Sequence, residues 1–290
     1  MIVVIADDMS GAAELAGAAT RLGYSAEVQT RFTPGVHAGV VCVDSGGRML
    51  SPSAAAAGME RMIRAVLAAT PDWIYLKFDS VLRGNILPEL RSALRATGLE
   101  HALLVTANPG RGRTIRGGDY HIDGVPLHET SFAADPEYPR TTSSVRELLG
   151  DHEGGIITPD VEDPRDLALL ASGAGLDTLT AGGAEFFEAL LIARGAPSNA
   201  GRNRPSPAGA WRVDPNDGRS STLLVCGSLG AWRSRSGEAR ERGVQAFDIH
   251  DDPAAAARAL ADRGTVLLGI GDRPETRSIP SQELLATLAE

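Results

Sequence analysis

Cysteine is scarce: Cys42 and Cys226 lie far apart, each inside an apolar run, which excludes a disulfide framework and a thiolate metal cluster. Long apolar runs are missing too, and none approaches the roughly 20 residues that cross a bilayer. The N-terminal Met-Ile-Val-Val-Ile-Ala has neither a basic leader nor a small-residue cleavage site, so the expectation is a cytoplasmic protein with no membrane partner. Positive charge is in deficit. The 28 Lys and Arg against 37 Asp and Glu leave a net charge of −9, which argues against nucleic acid as a partner because that binding needs a basic face to release counterions. A local arginine cluster can still attract a small anion. Scarcest of all is lysine, since Lys77 is the single lysine among the 28 basic residues. A compositional drift toward Arg, Ala and Gly would leave one lysine by chance. A functional role would place it where a planar guanidinium cannot replace a compact ammonium. Tyr75-Leu76-Lys77-Phe78-Asp79-Ser80, at the end of an apolar strand, is such a place.

What is present is the rhythm of an α/β fold. At roughly 150 residues per domain, 290 residues allow two domains, and 43% hydrophobic residues suffice for two cores. Residues 1–195 alternate short apolar runs with helical patterns, which predicts a mostly parallel sheet with helices on both faces. Strands are expected at 1–6, 40–43, 73–76, 102–106, 155–158 and 176–180. Ser10 is expected to cap a helix over 11–22 that Gly23 stops, and Pro52 to open one running to Ala69. Right-handed crossovers put the loops that follow the strands on one edge. Residues 108–140 break the rhythm and read as a folded functional loop, with a hairpin over 117–127. Residues 196–221, rich in Gly, Pro, Asn and Ser, read as an interdomain linker. A smaller α/β domain follows at 222–290, with strands near 223–226, 245–249 and 265–268 and a helix after Pro280.

The polar motifs gather on the loop edge. Asp7-Asp8-Met9-Ser10-Gly11 follows strand one, where one carboxylate can hold a sugar hydroxyl while the other orients or deprotonates it. Alternatively Asp8 serves only the helix-capping turn. Adjacent carboxylates do not suit an aspartyl-nucleophile phosphatase, which wants them two residues apart. Lys77 to Asn85 brings two cations, a carboxylate, a hydroxyl and an amide into nine residues, a set suited to clamping a carboxylate or phosphate. The alternative is an Asp79–Arg83 surface pair with a capping Ser80. Arg111 and Arg113 sit on a glycine-rich loop, and the spacings of His121, His128 and Asp135 fit no metal-ligand pattern. Cys226-Gly227-Ser228-Leu229-Gly230 is a strand-to-helix turn able to bind phosphate through backbone N–H groups, although it is no P-loop.

In combination, Asp7-Asp8-Met9-Ser10-Gly11, Lys77 through Asn85, Gly112-Arg113-Thr114 and Asp119-Tyr120-His121 through Asp135-Pro136 resemble the four-carbon acid sugar kinase family. The resemblance covers residues 1–195 strongly and 222–270 weakly. It implies an N-terminal domain for a sugar acid such as threonate or erythronate, and a C-terminal domain using ATP with Mg²⁺. On this reading Asp7 or Asp8 accepts the attacking hydroxyl's proton, Lys77 and Arg83 hold the substrate carboxylate, and Asp8 and Asp79 bind its hydroxyls. Ser10 and Ser80 line the substrate site, Arg113 closes over it, and Gly227 and Ser228 meet the nucleotide phosphates; no residue is assigned to metal. Ser10 stands where the family usually has Thr. Gly269-Ile270-Gly271-Asp272 is a poor counterpart of the family's Gly-Gly-Asp-Thr-Ser loop, so the nucleotide half reads as shortened. Two further readings stay open: a non-catalytic sugar-acid binder, and a nucleotide site completed by a second copy or a partner chain, with the three-stranded sheet offering an edge.

Overall fold

Apolar, β-branched runs flanked by turn residues build the strands, and amphipathic runs between them build the helices that cover the sheet. The computed structural model describes residues 1–35, 38–150, 155–195, 222–226, 229–248, 255–256, 258–260 and 265–269. The chain divides into two compact units, one of Met1–Ala134 with Arg140–Gly209 and one of Asp135–Pro139 with Ala210–Glu290.

The first unit holds β1 (Ile2–Ala6), α1 (Met9–Arg21), β2 (Ala26–Gln29), β3 (Val40–Asp44), α2 (Pro52–Ala68), β4 (Trp73–Lys77), α3 (Ile86–Thr97) and β5 (His101–Val105). The chain continues through β6 (Arg113–Arg116), β7 (Asp119–Ile122), β8 (Val125–Pro126), α4 (Val145–Leu149), β9 (Ile156–Ile157), α5 (Pro164–Gly173), β10 (Thr178–Gly182) and α6 (Ala184–Ala193). Seven strands form one parallel sheet in the order β2-β3-β1-β4-β10-β5-β9. Helices flank it in two groups, α2 with α3, and α6 with α1 and α5. All five residues of β1 are buried, and Tyr75, Phe186 and Phe187 pack ring to ring in the core beneath.

Strand order decides where a ligand can sit. After β1 the chain moves to one side to make β2 and β3, then crosses back to place β4 on β1's other flank. The crevice between the carboxyl ends of β1 and β4 is therefore the switch point of the sheet. Register aligns its rim: Ala6 pairs with Asp44 on one side and Lys77 on the other.

The segment read as a folded loop with a hairpin over 117–127 contains that hairpin as β7 and β8, and β6 joins it in a small antiparallel sheet, β6-β7-β8. Its turns explain it. Gly117-Gly118 and Asp123-Gly124 all have positive φ, which matches the twist of two-residue hairpins. In the second unit β11 (Thr222–Cys226), α7 (Leu229–Glu241), β12 (Gln245–Asp248) and β13 (Thr265–Gly269) form a parallel sheet in the order β11-β13-β12. Trp232 of α7 packs on Leu267, and so closely over Gly269 that a Cβ there would overlap its ring.

Several expectations need correction. Asp8 caps α1, not Ser10: its side chain accepts from Gly11 N at 2.7 Å and the helix begins at Met9. Asp8 reaches the first turn from the end of β1, which leaves Ser10 exposed inside the helix. The strand expected at 176–180 runs two residues later. The 196–221 linker, Gly227, Ser228 and the helix after Pro280 lie outside the described residues. Among those described, no helix is long and apolar enough to cross a membrane.

Candidate functional site

Three strand ends supply the site. Asp7 and Asp8 follow β1, Ser45 to Arg48 follow β3, and Phe78 to Arg83 follow β4. Backbone bonds stitch them together: Asp7 N donates to Lys77 O (3.1 Å), Ser45 N to Ala6 O (2.8 Å) and Arg48 N to Asp7 O (3.2 Å).

Arg48, which sequence reasoning did not single out, is the hub. Its Nε and Nη2 make a bidentate pair with Asp7 at 2.8 Å each, its Nη1 donates to Asp8 Oδ2 at 2.6 Å, and its Nη2 lies 3.9 Å from Asp79 Oδ1. Asp7 is 1% exposed. Burial lifts its pKa above the ordinary carboxylate value, and the Arg48 charge only partly offsets that. Asp8 is the more open of the two, with one oxygen capping α1 and the other on Arg48.

The β4 loop is wound around Asp79. Its Oδ2 accepts from Val81 N and Arg83 N, and the Arg83 guanidinium grips both oxygens at 3.0 and 2.8 Å. Burial would raise this pKa, but Arg83 and then Arg48 outweigh it and hold the carboxyl well below the usual range. The Asp79–Arg83 pair is thus real, yet Asp79 is buried, which a surface pair would not be. The turn forces Leu82 to φ 64°, a left-handed conformation uncommon for a buried branched residue and characteristic of functional sites. Arg140 Nη1 braces it by donating to Leu82 O.

Lys77 is 4% exposed, its Nζ donating to Phe78 O at 2.9 Å and lying 3.4 Å from Glu14 Oε2. A Cβ at Gly11 would lie 3.0 Å from Asp8 Oδ1 and 3.5 Å from Lys77 Nζ, so these two side chains approach one glycine from opposite strands. Glu14 also accepts from Arg111 at 2.6 Å, and these two cations lower its pKa despite burial. Arg113 donates to the Ser80 hydroxyl and makes no ion pair among the described residues. The structure therefore brings Asp7, Asp8, Lys77, Asp79, Ser80, Arg83 and Arg113 to one edge. Ser10 stands exposed on the first turn of α1. Glu14 was missed because one Glu on a helix carries no pattern. Arg48 was missed because it is one arginine among many, although the Gly46-Gly47 pair before it at a strand end was an available signal.

A parallel sheet with paired acidic and cationic side chains at its switch point makes this an α/β protein whose polar groups gather where open sheets of this class take their ligands. Residues 2–157 match the family described as the sugar-binding N-terminal domain, and the chain belongs to that family. It is 30% identical over 211 residues to the D-threonate kinase of Salmonella typhimurium, covering 60% of this chain and 48% of that protein. It is 35% identical over 157 residues to the D-threonate kinase of Bordetella bronchiseptica (51% and 39%) and 28% identical over 228 residues to the D-erythronate kinase of Heliobacterium modesticaldum (65% and 52%). The chain thus spans about half the length of these curated relatives. Among solved structures, a Bordetella bronchiseptica protein of domain-of-unknown-function family DUF1537, a domain-swapped dimer with bound citrate, aligns with TM-score 0.59 at 22% identity, covering 99% of this chain and 78% of that one. A Haemophilus influenzae protein of the same family aligns with TM-score 0.63 at 18% identity, covering 99% and 83%.

Proposed function

We propose that this chain binds a four-carbon sugar acid of the threonate or erythronate type at the β1–β4 crevice and serves its ATP-dependent phosphorylation. The observation that carries the reading is the convergence of Asp8, Arg48, Lys77, Arg83 and Arg113 from separate strand ends and a hairpin. The names of the relatives supply the substrate class. Arg113 takes the substrate carboxylate most directly, because among the described residues its guanidinium donates only to the neutral Ser80 hydroxyl, whereas Lys77 and Arg83 already face Glu14 and Asp79. Those two pairs are each neutral overall, so the cation left to meet the acid is Arg113. Asp8 orients a substrate hydroxyl and accepts its proton. Asp7 cannot, being buried and saturated by Arg48, and instead fixes the guanidinium that orients Asp8. Such positioning and charge neutralisation are what phosphoryl transfer chiefly requires. Magnesium usually keeps several waters and is held by one or two carboxylates together with the substrate's phosphates, and Gly227 and Ser228, read as meeting those phosphates, lie outside the described residues. No step is assigned to magnesium.

The test is purified chain with ATP, Mg²⁺ and a panel of four-carbon acids, read as ADP release. Absence of turnover with every acid refutes the transfer reaction. The family match over residues 2–157 favours a second reading, a chain that binds the acid without transferring phosphate. Calorimetry separates them: threonate binding without ATP affinity supports the binder, and binding of both supports the kinase. Light scattering shows whether a second copy takes part.

A further inference from the structure

Glu89, on the first turn of α3, is 0% exposed, and among the described residues the Ser45 hydroxyl stands beside it without a well-formed hydrogen bond to either carboxyl oxygen. A core carboxyl so thinly supported is costly in its charged form. Its surroundings are specific. It lies against Gly47, the residue before Arg48, so tightly that a Cβ on Gly47 would overlap Glu89 Oε1. Four residues earlier, Asn85 leaves α3 uncapped and spends its side-chain amide on the same turn, Nδ2 donating to Gly47 O at 2.9 Å and Leu50 O at 2.7 Å. The start of α3 therefore grips the turn that presents Arg48.

We infer that Glu89 is the positioning residue for Arg48, setting through the Gly47 turn the geometry in which the guanidinium spans Asp7 and Asp8. The charged and titratable groups that face Glu89 are Asp7 from the β1–α1 turn and Arg48 from the β3–α2 turn, with the Ser45 hydroxyl beside them. Burial, and then the Asp7 charge, push the Glu89 pKa up to about 8, against smaller opposing pulls from Arg48 and Ser45. A carboxyl held toward its neutral form leaves Arg48 to Asp7 and Asp8, with Asp79 farther off. Once ionised, Glu89 competes for that guanidinium and adds a negative charge behind a site that must accept an anion.

The experiment follows the Arg48 Nε–H resonance, assigned by its loss in Arg48→Lys, from pH 6.5 to 9.5 in the full chain and in Glu89→Gln, whose shape is the same and whose charge is fixed. We expect one titration with a midpoint near pH 8, with faster solvent exchange of the proton on the alkaline side, and neither change in Glu89→Gln. A resonance that stays still in the unsubstituted chain, or moves identically in both, overturns the inference; the unsubstituted chain decides alone if the variant does not fold. A second arm rests on the proposed function. Threonate affinity by calorimetry is expected to fall about tenfold from pH 7 to 9, the scale of one added charge at this range in a protein interior, and to stay level in Glu89→Gln. Failure of threonate to bind at any pH sinks the functional proposal and leaves the resonance arm to judge Glu89. Binding that falls equally in both proteins overturns the role of Glu89 itself.

Discussion

Replacing Glu89 by Gln has a consequence for stability that can be worked from the structure alone. A glutamate carboxyl has a pKa near 4.5 when solvated and about 8 in its buried place. Between those values the folded chain holds a proton that the unfolded chain has released. The folded state is then penalised progressively as pH rises from 4.5 toward 8, by about 1.4 kcal/mol per pH unit. At pH 7 the accumulated penalty is on the order of 3 kcal/mol, a large part of a typical domain's stability. Gln cannot ionise and escapes it. The comparison is urea unfolding of both proteins at pH 5, 6, 7 and 8, with Trp211 and Trp232 changed to Phe so that Trp73 alone reports the first unit. Groups that do not interact with Glu89 and titrate in both proteins cancel in the difference. The gap should be small at pH 5 and widen in favour of Glu89→Gln with each unit. A gap constant across the range would mean that Glu89 is ionised or solvated in the folded chain, and the reasoning fails.

Four other outcomes are expected. Asp79→Asn should cost about 1–3 kcal/mol at pH 7, because the buried carboxylate that accepts from Val81 N, Arg83 N and the half-buried Arg83 guanidinium is lost. Since the Asp79 pKa is depressed, that loss should shrink as pH falls below about 4, where the unfolded carboxyl takes up a proton that the folded one does not; denaturation at pH 3 and 7 checks both. Lys77→Arg should lose at least about tenfold in threonate affinity by calorimetry and about 1–3 kcal/mol of stability by overpacking beside Gly11, and unchanged affinity would remove Lys77 from the site. Gly182→Ala places a methyl in the Val105 backbone at φ 139°, and thermal melts should show a loss of more than about 3 kcal/mol or no folded protein. Ser92→Ala removes the 2.7 Å bond to Ala56 O between α3 and α2, costing about 1 kcal/mol in urea unfolding.

The central strands were legible because both their faces are buried, which writes a continuous apolar run such as Ile2–Ala6. The edge strand β2 was not marked, since Ala26-Glu27-Val28-Gln29 is half solvated and reads like a loop. Helix caps were legible by type but not by position, because Asp8 and Ser10 are both good caps and only the exit direction of β1 chooses between them. The β7–β8 hairpin could be seen in the sequence, while β6, which pairs with the other edge of β7, hid among arginines. The site was half visible. Motifs contiguous in sequence, Asp7-Asp8 and Lys77 through Arg83, announced themselves, whereas Arg48, Glu14 and Glu89 become meaningful only when strand order carries them to the same crevice. Gly227 and Ser228 lie outside the described residues.

The lone lysine has a practical corollary. Protein grown on ¹⁵N-lysine would carry label at a single position out of 290, and its backbone spectrum would reduce to the one amide of Lys77, in register with Ala6 at the mouth of the crevice. That one amide reports directly on the strand ends where Asp7, Asp8 and Arg48 meet.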